Sequence, residues 1–208
     1  MYLPKIFAED HLDVLQKFIR DFPLATVITA GPNGIMANLI PMSLHSIGEN
    51  GTLRCHLARA NCQFDRIKDG DEVLIIFNGP QSYVTPNFYE TKKVHGKVVP
   101  TWNYTTVQVR GKATAIDDPE WIYAQINDLT NAMEASNEKP WKVGDAPGEY
   151  IKKQLKAVVG VEISIDKIEG KFKVSQNQPD ENRLSAQKGF SRAENDTMAS
   201  LIANGGLK

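Results

Sequence analysis

The segment Leu53-Arg-Cys-His-Leu-Ala-Arg-Ala-Asn-Cys-Gln-Phe-Asp-Arg-Ile-Lys-Asp-Gly70 indicates a strand, a sharp polar corner and a short helix. Its first six residues alternate between apolar and polar or small side chains, in the order Leu53, Arg54, Cys55, His56, Leu57 and Ala58. A period of two predicts a β-strand with one buried face. Asn61 is a preferred helix N-cap and Gly70 a preferred helix stop, so we expect a short helix between them.

Arg59 stands at the corner, directly before the predicted helix. Free backbone N–H groups, the positive end of a helix dipole and a guanidinium fork then meet at one point, which suits a phosphate. The alternative is an ordinary strand-to-helix corner with Arg59 in solvent. Spacing alone favours the ordinary corner.

On both sides of this segment, the pattern of apolar runs and turn residues predicts several further strands joined mostly by hairpin turns. The predicted strands are 24–29, 35–47, 72–77, 82–85, 101–116, 158–165 and 171–174, with turns at 31–34, 48–51 and 169–170 and a break at Gly79-Pro80. Helices are expected at 9–21, from Pro119 to about residue 136, up to Lys156, and after Pro179. We expect a loop at 86–100 and a linker at 137–148. The arrangement predicts an antiparallel sheet closed into a barrel, with appended helices. The Gly-x-Gly-x-x-Gly turn of a Rossmann fold is absent.

Composition narrows the classes of protein. The chain has 208 residues, enough for one large domain, and we divide it into a barrel domain at 1–178 and a helical tail at 179–208. The formal net charge is −1, without the basic surplus typical of nucleic-acid-binding proteins.

No apolar run has the length of a membrane span and the first residues have no signal-peptide core, so we expect a cytoplasmic protein. Cys55 and Cys62 do not form a Cys-x-x-Cys motif, and we expect neither a disulfide framework nor a metal site.

Five segments spread along the chain together resemble one known family. They are Met1-Tyr-Leu-Pro4, His56-Leu-Ala-Arg-Ala-Asn61, Gly79-Pro-Gln-Ser-Tyr-Val-Thr-Pro86, Val99-Pro-Thr-Trp-Asn-Tyr104 and Lys173-Val-Ser-Gln-Asn177. They resemble the PaiB-like family of FMN-binding negative transcriptional regulators, over residues 1–190. Two positions depart from the family pattern: Cys62-Gln-Phe64 stands where Pro-Gln-Trp is expected, and Gln178 where Arg is frequent.

The resemblance implies a mainly β FMN-binding split barrel with appended helices, similar to pyridoxamine 5′-phosphate oxidase. It also implies a bacterial homodimer with FMN at the subunit interface. The implied phosphate anchor falls on Arg59 and Asn61, which is the corner singled out above. This agreement favours the anion site over the ordinary corner.

Further candidate cofactor-binding residues each have a second interpretation. His56 and Ala58 face away from Leu57, where a small side chain lets a ring or a phosphate approach; the alternative is a surface histidine. Asn38 lies inside an apolar strand and needs a partner, either the flavin edge or a bulge near Pro41.

Two polar or aromatic groups follow later in the chain. Trp102 and Tyr104 share a face around Asn103 and form either a wall for the isoalloxazine ring or an aromatic dimer patch. Ser175, Gln176 and Asn177 follow a strand and either close the pocket or form a turn.

Three functions remain open at this point. The first is an FMN-binding regulator acting on DNA or through a protein partner, although no helix-turn-helix pattern or basic surplus supports DNA binding. The second is an NAD(P)H-linked, FMN-dependent oxidoreductase acting on a small molecule, whose chemistry the flavin carries. The third is a binding module with a degenerate flavin pocket.

Overall fold

The structure is a computed structural model that describes residues 1–32, 34–67 and 70–206. Its strands are β1 (Ala8–Glu9), β2 (Leu24–Gly31), β3 (Gly34–Pro41), β4 (Ser43–His45), β5 (Thr52–Ala58), β6 (Asp71–Val84), β7 (Thr101–Ile116) and β8 (Val158–Lys173). Its α-helices are α1 (Leu12–Asp21), α2 (Lys92–His95), α3 (Pro119–Glu134), α4 (Gly148–Lys156), α5 (Asp180–Arg192) and α6 (Asp196–Asn204). None of the helices in these described ranges combines the length and the apolar character needed to cross a bilayer.

One sheet contains the eight strands of the described residues, in the order β3-β2-β6-β7-β8-β5-β4, with β1 paired to β8. β3 and β4 stand at opposite ends of this order, yet the single residue Met42 joins them. The two ends of the sheet must therefore come together, as barrel closure requires. The predicted split barrel, a mainly antiparallel sheet with appended helices, is confirmed.

The register of β5 confirms the predicted alternation of buried and outward-facing side chains from Leu53 to Ala58. Cys55 lies opposite Val161 of β8, and Leu53 opposite Ile163. Leu53, Cys55 and Leu57 are all buried, as predicted. Burial raises the pKa of the Cys55 thiol to about 12, so this thiol stays protonated at neutral pH.

The described residues form two compact units, and β6, β7 and β8 each contribute to both. The second unit contains residues 19–77 and 108–168 and therefore the β2–β5 segment. Its core is mainly aliphatic and includes Val27, Leu53, Ile75, Val109, Val161 and Ile163.

The first unit contains residues 1–18, 78–107 and the chain from 169 onward. Here α5 and α6 bury Phe190, Met198 and Ile202 in a cluster with Val84 and Val174. The predicted C-terminal helices are thus present and packed, whereas the domain boundary at 178 stays a prediction.

Two predicted interruptions of the sheet are wrong. β6 runs through Gly79-Pro80 and β8 runs through Glu169-Gly170 without a turn. A Cβ on Gly79 would lie 2.7 Å from the ring of Phe18, and one on Gly170 would lie 2.3 Å from Leu15 Cδ2. These glycines therefore allow helix α1 to approach the strands closely, which is a packing role and not a turn role.

Other differences concern the ends of elements. The strand expected at 35–47 ends at Pro41 and resumes as β4 after Met42, so Pro41 closes a strand and does not bulge within one. The predicted loop at 86–100 contains α2 and the buried Tyr89, and the predicted linker at 137–148 buries Val143.

Three local predictions are confirmed by the structure. β7 has the predicted bounds, and the carboxylate of Asp118 caps α3 by accepting a hydrogen bond from Glu120 N at 2.9 Å. Gly31 pairs with Gly34 across the expected turn, of which Asn33 lies outside the described residues.

We expect Gly79→Ala to lower the free energy of unfolding by about 1–3 kcal/mol, because the new methyl group overlaps Phe18 and Thr105 Oγ1. Urea denaturation measures this loss. Gly144→Ala is the control, since a Cβ there meets nothing within 4 Å. Equal stability of the two variants would contradict the close-packing role of Gly79.

Candidate functional site

The corner after β5 is exposed and held by short-range hydrogen bonds. Ala58 and Arg59 are both exposed, and Arg59 N donates to Ala157 O at 2.8 Å. Asn61 N donates to Ala58 O at 2.8 Å, and Asn61 Oδ1 accepts from Gln63 N at 2.9 Å. Asn61 therefore shapes the corner through its own backbone neighbours.

The helix predicted to follow Asn61 is wrong. Only a single 3₁₀ turn at Phe64–Arg66 forms, and residues 68–69 of the predicted helix lie outside the described residues. Three residues give little aligned dipole, so the positive helix end does not contribute to an anion site here. What remains of that argument is the guanidinium of Arg59.

Two backbone carbonyls hold this guanidinium in place. Nε donates to Lys156 O at 3.2 Å and Nη2 donates to Val158 O at 3.1 Å. These carbonyls lie where α4 ends and β8 begins. The fork is thus fixed at an exposed corner by main-chain atoms.

The outer side of the fork binds the carboxylate of Asp117. Nη2 donates to Oδ1 at 2.6 Å and Nη1 donates to Oδ2 at 2.9 Å. These hydrogen bonds lower the pKa of Asp117 and raise the pKa of Arg59. Arg59 is therefore half of a bidentate ion pair, which the sequence did not reveal.

Asn38 finds its partner in Gln63, which is fully buried. Asn38 Nδ2 donates to Gln63 Oε1 at 2.9 Å, while Gln63 Nε2 donates to Val27 O at 2.9 Å and Thr29 Oγ1 at 3.3 Å. The structure thus brings Asn38 and Asn61 together around Gln63. Asn38 stabilises the corner through the side-chain amide of Gln63, and Asn61 through the backbone N–H of Gln63.

His56 faces α3. Its Nδ1 lies 2.8 Å from Gln125 Oε1, and an amide oxygen can only accept, so His56 Nδ1 carries the proton in this arrangement. Gln125 is buried, and its Nε2 has no hydrogen-bond partner within the described part of the chain. Beside it, Trp121 packs on Gly160. In this chain the outer face of β5 at His56 is covered by a helix.

In the first unit, Trp102 and Tyr104 belong to a face of aromatic rings and lysines. Trp102 is 54% exposed and packs edge-on against Tyr83, with ring centroids 6.1 Å apart. Lys171 Nζ lies 5.4 Å from the Tyr104 ring centroid. Lys173 Nζ donates to Thr101 Oγ1 at 2.6 Å and also to Trp102 O. Burial and then the nearby charge of Lys171 lower the pKa of Lys173.

The polar candidate residues near the end of β8 form hydrogen bonds that hold this end of the strand in place. Asn103 is fully buried, and its Nδ2 donates to Ser175 Oγ at 2.9 Å. Gln176 Oε1 accepts from Val174 N at 2.7 Å, and its Nε2 donates to Phe172 O. Ser175 has φ of 70°, a left-handed conformation that costs energy for a serine. Asn177 is exposed.

The candidate residues therefore form two groups, one in each unit. Ala58, Arg59 and Asn61 share the corner with Asn38 nearby, whereas His56 turns to α3. Trp102 and Tyr104 share the aromatic face, whereas Asn103, Ser175 and Gln176 build the end of β8.

Five further residues contact the candidate residues but were not predicted from the sequence: Gln63, Asp117, Gln125, Lys171 and Lys173. Lys171 and Lys173 had a signal, since residues two apart in a strand share a face. Asp117 had a weaker sequence signal: it is an acidic residue directly before Asp118, and Asp118 alone is enough to cap α3.

We expect Gln63→Ala to destabilise the fold by about 2–4 kcal/mol, because it leaves Val27 O and Asn38 Nδ2 without their partner. Thermal and urea unfolding measure the effect. Gln154→Ala is the control, since Gln154 is exposed on α4. If Gln63→Ala loses no more stability than Gln154→Ala, the hydrogen bonds of Gln63 do not stabilise the fold.

Comparison with known proteins places the chain in a family. The family model "Putative FMN-binding domain" matches residues 1–167. A protein of Emericella nidulans is 38% identical over 98% of this chain and 95% of its own length. The protease synthase and sporulation protein PAI 2 of Bacillus subtilis is 24% identical over 94% of this chain and 91% of its own length, which confirms the PaiB resemblance. A bacterial source stays a prediction, since the relatives include fungal proteins.

Among solved structures, the FAD and heme binding protein of Mycobacterium smegmatis superposes with a TM-score of 0.57. The match covers 80% of this chain and 73% of that chain at 14% identity, which is a likeness of fold. The protein is a split-barrel member of the FMN-binding domain family.

Proposed function

We propose that this protein binds FMN and that Arg59 holds the phosphate at the corner after β5. The observation that carries the proposal is the fixed, exposed guanidinium of Arg59, which already grips two oxygens of one anionic group. Phosphate presents the same pair of oxygens to such a fork. Asn61 and Ala58 support it, one by shaping the corner and the other by leaving room for an approaching group.

Within the first unit, the face of Trp102 and Tyr104 is a separate candidate surface for a planar ring. The exposed ring of Trp102 gives a planar ligand a stacking surface, and the ammonium groups of Lys171 and Lys173 add positive charge beside it. Within the first unit, we assign Asn103, Ser175 and Gln176 to holding this end of β8 and the exposed Asn177 to contact with a planar ligand on that face. Within the second unit, we assign Asn38 to support of the corner. When bound, FMN supplies reversible transfer of electrons, and Arg59 with its neighbours at the corner holds the phosphate.

The homodimer is proposed from an apolar face of the β2–β3 hairpin. Leu24 lies opposite Pro41, and Ala30 opposite Ile35, so these side chains share the outer face with Leu39. Ile35 is 78% exposed and Leu39 is 65% exposed. An apolar face on an end strand of the sheet order favours burial against a second copy of the chain.

The role of the bound flavin has two candidates, and we favour regulation. The resemblance to the PaiB-like family of negative transcriptional regulators supports a regulator, in which flavin binding controls an interaction with DNA or a protein partner. An NAD(P)H-linked oxidoreductase is the second candidate, favoured by the exposure of Trp102, which leaves room for a second planar ring. Rapid bleaching of the flavin by NADH or NADPH supports the enzyme, whereas salt-sensitive binding of promoter DNA supports the regulator.

We expect the protein to retain a flavin spectrum after incubation with FMN and desalting. Arg59→Ala should weaken FMN binding roughly 10- to 100-fold, because a hydrogen-bonded cation is lost from the phosphate. Fluorescence quenching measures both affinities, and chromatography of flavin released from the protein as purified, before FMN is added, tells FMN from FAD.

Riboflavin is the control ligand, since it lacks the phosphate and should bind both proteins equally. A protein that retains no flavin would overturn the proposed function. Equal FMN affinity of the two proteins would remove Arg59 from the site.

We expect Leu39→Glu to shift the protein from dimer to monomer in analytical ultracentrifugation, because it places a charge in the proposed interface. Leu184→Glu on α5 is the matched control, since Leu184 is also exposed, at 56%, but lies outside that face. A Leu39→Glu protein that remains dimeric would move the interface elsewhere.

A further inference from the structure

We propose that Asp117 competes with the phosphate of the cofactor for Arg59, so that the corner is closed by its own carboxylate until a phosphate displaces it. The inference rests on the proposed function, because it concerns the same guanidinium. It adds a residue that sets the affinity of the site and its selectivity for phosphorylated flavin.

The hydrogen bonds of Arg59 make the competition direct. A guanidinium has five N–H groups, and here one from Nε and one from Nη2 point at Lys156 O and Val158 O. The outer pair, from Nη1 and Nη2, goes to the two oxygens of Asp117. This outer pair is the one that a bidentate phosphate needs, so Asp117 and phosphate cannot both hold it.

Asp117 is not needed to orient the fork. The two carbonyls belong to the junction of α4 and β8, and Arg59 N is tied to Ala157 O in the same junction. Removal of Asp117 therefore leaves the guanidinium in place with its outer side open. It also removes a negative charge that repels an incoming phosphate.

Asp117 is also free to leave without loss of structure. The N-cap of α3 is Asp118, whose carboxylate accepts from Glu120 N, so the helix start does not need Asp117. The hydrogen bonds that the described residues give the Asp117 side chain go to Arg59. Both side chains are exposed, at 42% for Arg59 and 65% for Asp117, and an ion pair in such a position is weak enough to exchange.

The test compares FMN and riboflavin binding to wild type, Asp117→Asn and Arg59→Ala by fluorescence quenching. Asp117→Asn should bind FMN about two- to fivefold more tightly than wild type, which is the range expected for release of an exposed ion pair. Its riboflavin affinity should not change.

Two control variants test whether loss of a nearby negative charge, or loss of any exposed ion pair, is enough to tighten FMN binding. Glu120→Gln removes a negative charge three residues away, at an exposed position of α3 that has no contact with Arg59 among the described hydrogen bonds. Glu72→Gln breaks another exposed pair of the same unit, in which Arg110 Nη1 lies 3.3 Å from Glu72 Oε1. Both should leave FMN affinity unchanged.

The outcomes separate this inference from the proposed function. If Arg59→Ala weakens FMN binding but Asp117→Asn binds FMN no better than wild type, Asp117 does not compete, while the phosphate site stands. An equal gain in Glu120→Gln would replace competition with general electrostatics and overturn the inference. If Arg59→Ala binds FMN as wild type does, the phosphate site itself is overturned and the competition with it.

Discussion

Closure of the sheet is the constraint on which the other features of this protein depend. β3 and β4 follow each other in the chain with only Met42 between them, yet they occupy the two ends of the strand order. The sheet must curl until these ends meet, and side chains that alternate along β5 then fill one interior. The corner that carries Arg59 lies where β5 leaves this closed sheet.

Local patterns predicted those elements whose identity is decided within a few residues. The alternation from Leu53 to Leu57, the bounds of β7 and the cap at Asp118 were all available from sequence, because burial period and cap chemistry are local. Gly79 and Gly170 misled the prediction for the opposite reason. Their role depends on Phe18 and Leu15, which lie far away in the chain, and a local pattern cannot tell a glycine in a turn from one under a helix.

The candidate site shows the same division between local and distant information. Arg59 could be found from its place after a strand, and the family resemblance supported it. Its partner Asp117 could not be found, since 58 residues separate the two side chains and only the fold brings them together. The need of Asn38 for a partner was predictable, whereas the partner, Gln63, stood in a segment expected to be helical. The covering of His56 by Gln125 likewise follows from the path of α3.

The pairing of β1 with β8 has a consequence for how the chain is made. Ala8 pairs with Lys171, so β1 meets this partner only after the chain up to β8 has been synthesised. Contacts this distant in sequence close late and slow the folding of a β-rich protein. β1 must therefore wait for β8 while the strands between them are made. The charge of Asp10 between β1 and α1 and the brevity of β1 itself reduce the risk of premature pairing with another nascent chain.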